Sequence, residues 1–164
     1  MTRERFTALV SGEQKKLRQF LLALCCGHAD EADDIAQDAL VKAFLASAGM
    51  AESERLTAWI YKIAYNTFLD HKRRRTPEID LDHNCQIAST QRADDAFRYQ
   101  ALYAALATLP PKERTAILLY YLKGYSIHEI SQIEDCSEEA VRKQMSRGRD
   151  ELKKICKRND TGLF

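Results

Sequence analysis

Apolar residues along this chain recur at intervals of three and four. That spacing puts side chains on one stripe of an α-helix, whereas a strand would alternate them. Ser11 with Gln14 forms a capping box ahead of Leu17, Phe20, Leu21 and Leu24, and Gly27 supplies a stop. A second helix is expected from about Asp30 to Ser47, with Ile35, Ala39, Leu40, Ala43 and Phe44 on its stripe. Acids fill its first turn, where the helix dipole favours them. After a loop around Ala48 to Arg55, Thr57 caps a third helix bearing Trp59, Ile60, Ile63, Ala64 and Phe68. That helix ends in the run Lys72-Arg73-Arg74-Arg75.

The period then fails. Residues 76–93 hold Pro77, scattered acids and isolated Ile79, Leu81 and Ile87, a stretch longer than an ordinary connection. It reads as a flexible linker between a first domain, 1–75, and a second, 94–164. The second domain restarts with a helix carrying Phe97, Leu102, Ala105, Leu106 and Leu109. Pro111 suits the first turn of the next helix, which runs to about Lys123 and stops at Gly124. The fold class expected is all-α: a three- or four-helix bundle joined to a second small helical domain.

The end of the chain carries the sharpest local signal. Ser126 and Glu129 make a second capping box, with Tyr125 and Ile130 placed as a hydrophobic staple. Ile127, Ile130 and Ile133 face inward, Asp135-Cys136 turns, and Ser137 caps a longer basic helix. A short helix, a tight turn and a longer helix is the helix-turn-helix pattern. On the longer helix Val141, Met145, Gly148, Leu152 and Ile155 share one stripe, while Arg142, Lys143, Ser146 and Arg147 lie on or beside the opposite face. A recognition helix offers such a face to the major groove, where Arg and Lys reach guanine edges or phosphates. Glycine costs up to about 1 kcal/mol inside a helix, so Gly148 is expected to admit a closely approaching neighbour.

Charge sharpens this picture although the sum does not. The formal net charge is +1, yet Asp30 to Asp38 is acidic while Lys72 to Arg75 and Arg142 to Arg158 are basic. Sorted charge implies different surfaces for different partners. No apolar run reaches membrane-spanning length, and the start of the chain lacks a signal-peptide core. The five cysteines are odd in number and have no CxxC spacing, which fits a reducing cytoplasm. His28, His71, His83 and His128 are dispersed without metal-ligand spacing, and no phosphate loop or nucleophile motif occurs. These features leave open a stand-alone DNA-binding regulator or a helical adaptor, and weigh against an enzyme.

The pattern Leu109-Pro110, Arg114, Gly124-Tyr125-Ser126, Glu129-Ile130, Val141 and Arg147-Gly148-Arg149 resembles region 4 of bacterial sigma factors, the promoter-binding domain. "DEADDIAQDALVKAF" (Asp30 to Phe44) and "TAWIYKIAYNTFLDHKRR" (Thr57 to Arg74) resemble region 2, the core-binding domain. With no third domain between them, the layout is similar to that of the extracytoplasmic-function (ECF) class.

The resemblance implies recognition without catalysis, and neither cofactor nor metal. Its partners are core RNA polymerase, through the β′ clamp helices and the β flap, promoter DNA and an anti-sigma factor, in the cytoplasm and without membrane insertion. It assigns Asp33, Asp34, Gln37 and Asp38 to the polymerase. Arg142, Lys143, Ser146 and Arg147 go to the −35 element, with Arg149, Arg114 and Lys112 near phosphates. At the −10 element Asn66 reads a base edge, and the loop from about Ala46 to Leu56 receives a flipped base. That loop has no aromatic residue, and Met50 is its largest apolar group. Lys62, Lys72, Arg73, Arg74 and Arg75 supply phosphate contacts, and Tyr61 and Tyr65 are expected to reach nucleic acid ahead of Trp59.

Overall fold

The computed structural model describes residues 1–50, 55–75 and 93–160. The expected linker up to residue 92 and the centre of the 46–56 loop lie outside those residues. Seven α-helices, and no strand among the described residues, run in the order α1 (Arg3–Leu24), α2 (Ala29–Ser47), α3 (Leu56–Arg75), α4 (Ala93–Ala107), α5 (Pro111–Tyr121), α6 (Ile127–Glu134) and α7 (Glu138–Asp160).

Helix α1 begins two turns before the Ser11 capping box. Thr2 caps it instead, its side chain accepting from the Arg5 amide, and Ser11 sits exposed in mid-helix. The reason is tertiary: Phe6 is buried and meets the Phe44 ring edge-on, so the first two turns have a surface to pack on. At its other end the Gly27 amide donates to Leu22 O and the Cys26 amide to Ala23 O, a Schellman closure with Cys26 at φ 55°. Helix α3 likewise starts two residues early, at Leu56, leaving Thr57 inside the first turn. Helix α5 has Pro111 in its first turn, as expected, and ends at Tyr121 with Gly124 at φ 72° beyond it.

Helices α1, α2 and α3 form one bundle, whose interior holds Leu17, Phe20, Leu21, Ile35, Ala39, Ile60, Ala64 and Phe68. Helices α5, α6 and α7 form the other, around Ala116, Leu119, Ile130, Ile133, Val141 and Met145. Phe44 and Leu102, expected on apolar stripes, are 45% and 49% exposed. Phe44 meets only the edge of the Phe6 ring from α1, which leaves much of it open to solvent.

The two bundles are not separate. Helix α3 packs on α6 and α1 packs on α5. Tyr61 of α3 lies edge-on to Phe20 and Tyr125, with ring centroids 5.3 and 5.6 Å away. Lys123 reaches Glu13 at 3.4 Å and lies 4.9 Å from the Tyr61 ring centroid. Tyr103 of α4 covers Gly27, where a Cβ would stand 2.9 Å from Tyr103 Cδ2 on a backbone at φ +91°. Only glycine fits both the space and the conformation.

Candidate nucleic-acid interface

The helix-turn-helix forms as its local sequence dictates. The Ser126 hydroxyl accepts from the Glu129 amide at 3.1 Å, and the Glu129 carboxylate accepts from the Ser126 amide at 3.0 Å, completing the capping box. Asp135 takes a left-handed conformation at φ 55°, a backbone that Asp tolerates better than most residues. The Ser137 hydroxyl then accepts from the Ala140 amide at 3.1 Å and opens α7.

Helix α7 divides as the wheel requires. Val141, Met145 and Gly148 are buried, while Leu152 and Ile155 are partly buried. A Cβ on Gly148 would lie 2.9 Å from Ile117 Cγ1 and 3.3 Å from Ile117 Cδ1, so the missing side chain is what lets α5 and α7 meet. Arg142, Lys143, Ser146 and Arg147 stand exposed on the outer face. Arg142 and Lys143 make i,i+4 pairs with Glu138 and Glu139, both at 3.7 Å, which are exposed and easily exchanged for phosphate.

Two cations of the second bundle assigned to DNA by resemblance are engaged within the protein. Arg114 is 2% exposed and donates to three carbonyls: Leu24 O at 2.7 Å, Leu109 O at 2.8 Å and Leu106 O at 2.9 Å. It closes the C-terminal ends of α1 and α4 together, where helices leave carbonyls without partners. In this arrangement Arg114 offers nothing to a phosphate. Arg149 donates from Nε to the Tyr121 hydroxyl at 2.8 Å and lies over the Tyr120 and Tyr121 rings. Lys112, by contrast, is exposed.

On the first bundle, Asn66, Arg73 and Arg74 are exposed and Lys62 is partly so, while the Arg75 side chain is outside the description. Lys72 is buried, 3.0 Å from Glu31 Oε1 and 5.6 Å from the Phe68 centroid, so it braces α2 against α3. Met50 is half-buried just beyond α2.

Tyr61 and Tyr65 reverse the expectation set for them. They are 0% and 2% exposed. Burial, then neighbouring acids, raises the pKa of both phenols: Glu13 for Tyr61, and Glu134 for Tyr65. The second bundle covers the face that a lone first bundle would turn outward. Trp59 is partly buried, and with Arg55 and Lys62 it lines a cleft of about 360 Å³ opposite Gln132, Ile133 and Asp135. No signal in the sequence marks this seam, because its members are far apart along the chain.

The acidic helix turns Asp33, Asp34, Gln37 and Asp38 outward together. Arg18 pairs with Asp33 at 2.8 Å and His71 with Asp38 at 2.7 Å. The same helix continues into exposed Val41, Phe44 and Leu45. Among the described residues no cluster of His, Cys, Asp and Glu could hold a metal, and no helix is long and apolar enough to cross a membrane.

A helical bundle followed by a helix-turn-helix with a basic outer face has the layout of a DNA-directed factor. Comparison with known proteins agrees, unit by unit. Residues 9–78 match the family model "Sigma-70 region 2" and residues 99–152 match "Sigma-70, region 4". The RNA polymerase sigma-H factor of Pseudomonas aeruginosa is 30% identical over 77% of this chain and 73% of its own. The ECF sigma factor SigW of Bacillus subtilis is 27% identical over 92% of this chain and 88% of its own. Among solved structures, the sigma factor RpoE from Bartonella quintana, in complex with the anti-sigma factor NepR, superimposes with a TM-score of 0.81 at 25% identity, covering 94% of this chain and 98% of that one. CnrH, in complex with the cytosolic domain of CnrY, shares the fold with a TM-score of 0.72 at 22% identity over 96% and 91% of the two chains. The chain belongs to the ECF RNA polymerase sigma factors. Its activity is promoter-specific transcription initiation as an alternative sigma factor.

Proposed function

We propose that this sigma factor joins core RNA polymerase through the Asp33, Asp34, Gln37 and Asp38 face and reads promoters with two separate surfaces. The observation that carries the reading is the outer face of α7, where Arg142, Lys143, Ser146 and Arg147 are exposed together on a capped and turn-fixed recognition helix. That face serves the −35 element. Asn66, with Lys62, Arg73 and Arg74 around it, serves the −10 element, taking up one strand as the duplex melts. Met50 belongs to the loop expected to receive the displaced base. Arg114 and Lys72 act within the protein in the closed form. The second bundle also meets the β flap.

Geometry then requires motion. About 25 base pairs separate the two promoter elements, or some 85 Å at about 3.4 Å per pair. Here α3 and α6 are in direct contact, and packed helices have axes about 8–10 Å apart. The closed chain therefore cannot engage both elements at once. The linker, at 18 residues, reaches up to about 60 Å when extended, which together with the two bundles spans the distance. The RpoE structure with NepR supports a further partner of the same kind, an anti-sigma factor.

In-vitro run-off transcription tests the reading. Core polymerase with this chain is expected to initiate from a promoter subset, while the chain alone binds those promoters weakly. Tight specific binding without polymerase, and no transcript with it, would contradict the reading and favour a stand-alone regulator.

A further inference from the structure

The seam between the bundles contains a largely buried carboxyl group, and the cation near it, Lys112, is exposed. Glu134 ends α6 beside Ile130 and Ile133, on the inward side. Its Oε1 is buried with no hydrogen-bond partner among the described residues, and so is Gln144 Oε1 of α7. The Gln144 amide reaches the Glu134 carboxyl, and the Cys136 thiol lies 3.8 Å from its Oε2. Two acceptors here lack a donor.

The surroundings are accounted for element by element. From α3, in the other bundle, Tyr65 faces Glu134, with Arg73 near Tyr65. From α5 comes Lys112, which is exposed, and from the turn come Asp135 and Cys136. Burial pushes the Glu134 pKa up to about 8, against the smaller lowering effects of Cys136, Lys112 and Gln144. The same burial, then Glu134 itself, pushes the Cys136 thiol and the Tyr65 phenol up, so neither ionises below Glu134.

We propose that Glu134 makes the seam a proton-linked latch: the bundles close over it as the neutral acid and separate with release of its proton to water. The neutral acid supplies the donor that the Glu134–Gln144 pair lacks. Separation removes Tyr65 and α3 from one side of the group, admits water and lowers its pKa toward the ordinary carboxyl value near 4.3. The sign follows. Closure is favoured fully below the open-state pKa, weakens as pH rises toward 8, and changes little above. The opening constant therefore rises by up to about tenfold per pH unit in that window.

The test uses the full chain, with Glu134→Gln keeping the shape without the charge and Glu134→Leu providing an apolar second variant. The apparent Kd for core polymerase is measured at pH 6, 7 and 8, because a closed chain taxes that affinity by its competent fraction. The parent is expected to tighten by up to about tenfold per pH unit relative to either variant. Taking the ratio cancels the pH effects that all three chains share. Quenching of Trp59, the single tryptophan and a wall of the α3–α6 cleft, reads the free chain in parallel and should increase with pH in the parent alone. The proposal rests on the polymerase-binding reading for the first readout only. If no variant binds polymerase, that reading fails and the Trp59 profile decides the latch. Identical pH profiles in the parent and both variants overturn it.

Discussion

The outer face of α7 and the seam between the bundles use the same residue types to opposite ends. On α7, Arg142 and Lys143 hold only exposed pairs within their own helix, at 3.7 Å, and Arg147 is exposed beside them. In the seam, Arg114 spends its guanidinium on three carbonyls, and Lys123 meets Glu13 with 9% of its side chain exposed. Exposed pairs contribute about 0–1 kcal/mol and give way to a stronger anion. Buried donors on carbonyls do not exchange, because each abandoned group would keep its desolvation cost. The cations compared are thus either left open to an outside partner or used as structural ties. What decides is whether the other half of the molecule covers them.

The comparison breaks first at Arg114. Replacing it with Ala leaves Leu24, Leu106 and Leu109 with buried carbonyls and removes three charge-assisted bonds. Such bonds contribute about 1.5–3 kcal/mol each and are not additive. A loss of about 3–5 kcal/mol is expected in denaturant unfolding, and Arg114→Lys should recover only a minor part. A stability loss under 1 kcal/mol would mean that Arg114 does not tie the halves in solution. Since one of the three acceptors is Leu24 of the first bundle, the variant should also occupy the closed form less, which raises the Trp59 signal.

Arg147 makes the opposite case. Arg147→Ala should leave unfolding unchanged within about 0.5 kcal/mol, as surface substitutions do. Promoter affinity of the holoenzyme should fall by about 1–3 kcal/mol if Arg147 reads a base. The same loss on every −35 sequence would turn it into a phosphate contact, with a salt slope lower by about 1. Unaltered promoter activity would remove Arg147 from the interface.

Which of these roles could be read in the sequence depended on how far away the partner lies. The capping box at Ser126, the Ser137 cap and the buried stripe of α7 involve residues a few positions apart, and all three took the form expected. Helix α2 kept its expected extent to within one residue. The failures lie where partners are distant. Ser11 does not open α1 because Phe6 finds Phe44 across the bundle. Tyr61 and Tyr65 are hidden by α6 and the segment before it, more than fifty residues on. Arg114 bonds a carbonyl 90 positions away, which no local pattern can show. Resemblance carried the polymerase and promoter surfaces, but it treats the two regions as independent. It therefore placed Arg114 and Lys72 on DNA, whereas in this arrangement they hold helices together.

Gly148 gives the finest test of the same division, since it lies on the covered side of the helix whose other side is free. Gly148→Ala changes two things in opposite directions. Helix propensity improves by up to about 1 kcal/mol. Against this, the new methyl group stands 2.9 Å from Ile117 Cγ1, which is held in a buried side chain, so α5 or Ile117 must shift. Overpacking of this kind costs about 1–3 kcal/mol. The net expectation is a loss of about 1 kcal/mol, seen as a lower denaturant midpoint with an unchanged slope. Ile117→Val removes the outer methyl group at 3.3 Å but keeps a γ-carbon near the new one, so Gly148→Ala with Ile117→Val should recover part of the loss and Gly148→Ala with Ile117→Ala should couple more strongly. Specific promoter binding should be nearly unaffected in each, because Arg142, Lys143, Ser146 and Arg147 lie on the far side of the helix. A Gly148→Ala variant more stable than the parent would show that α5 yields easily. Close packing would then not be the reason for glycine at this position.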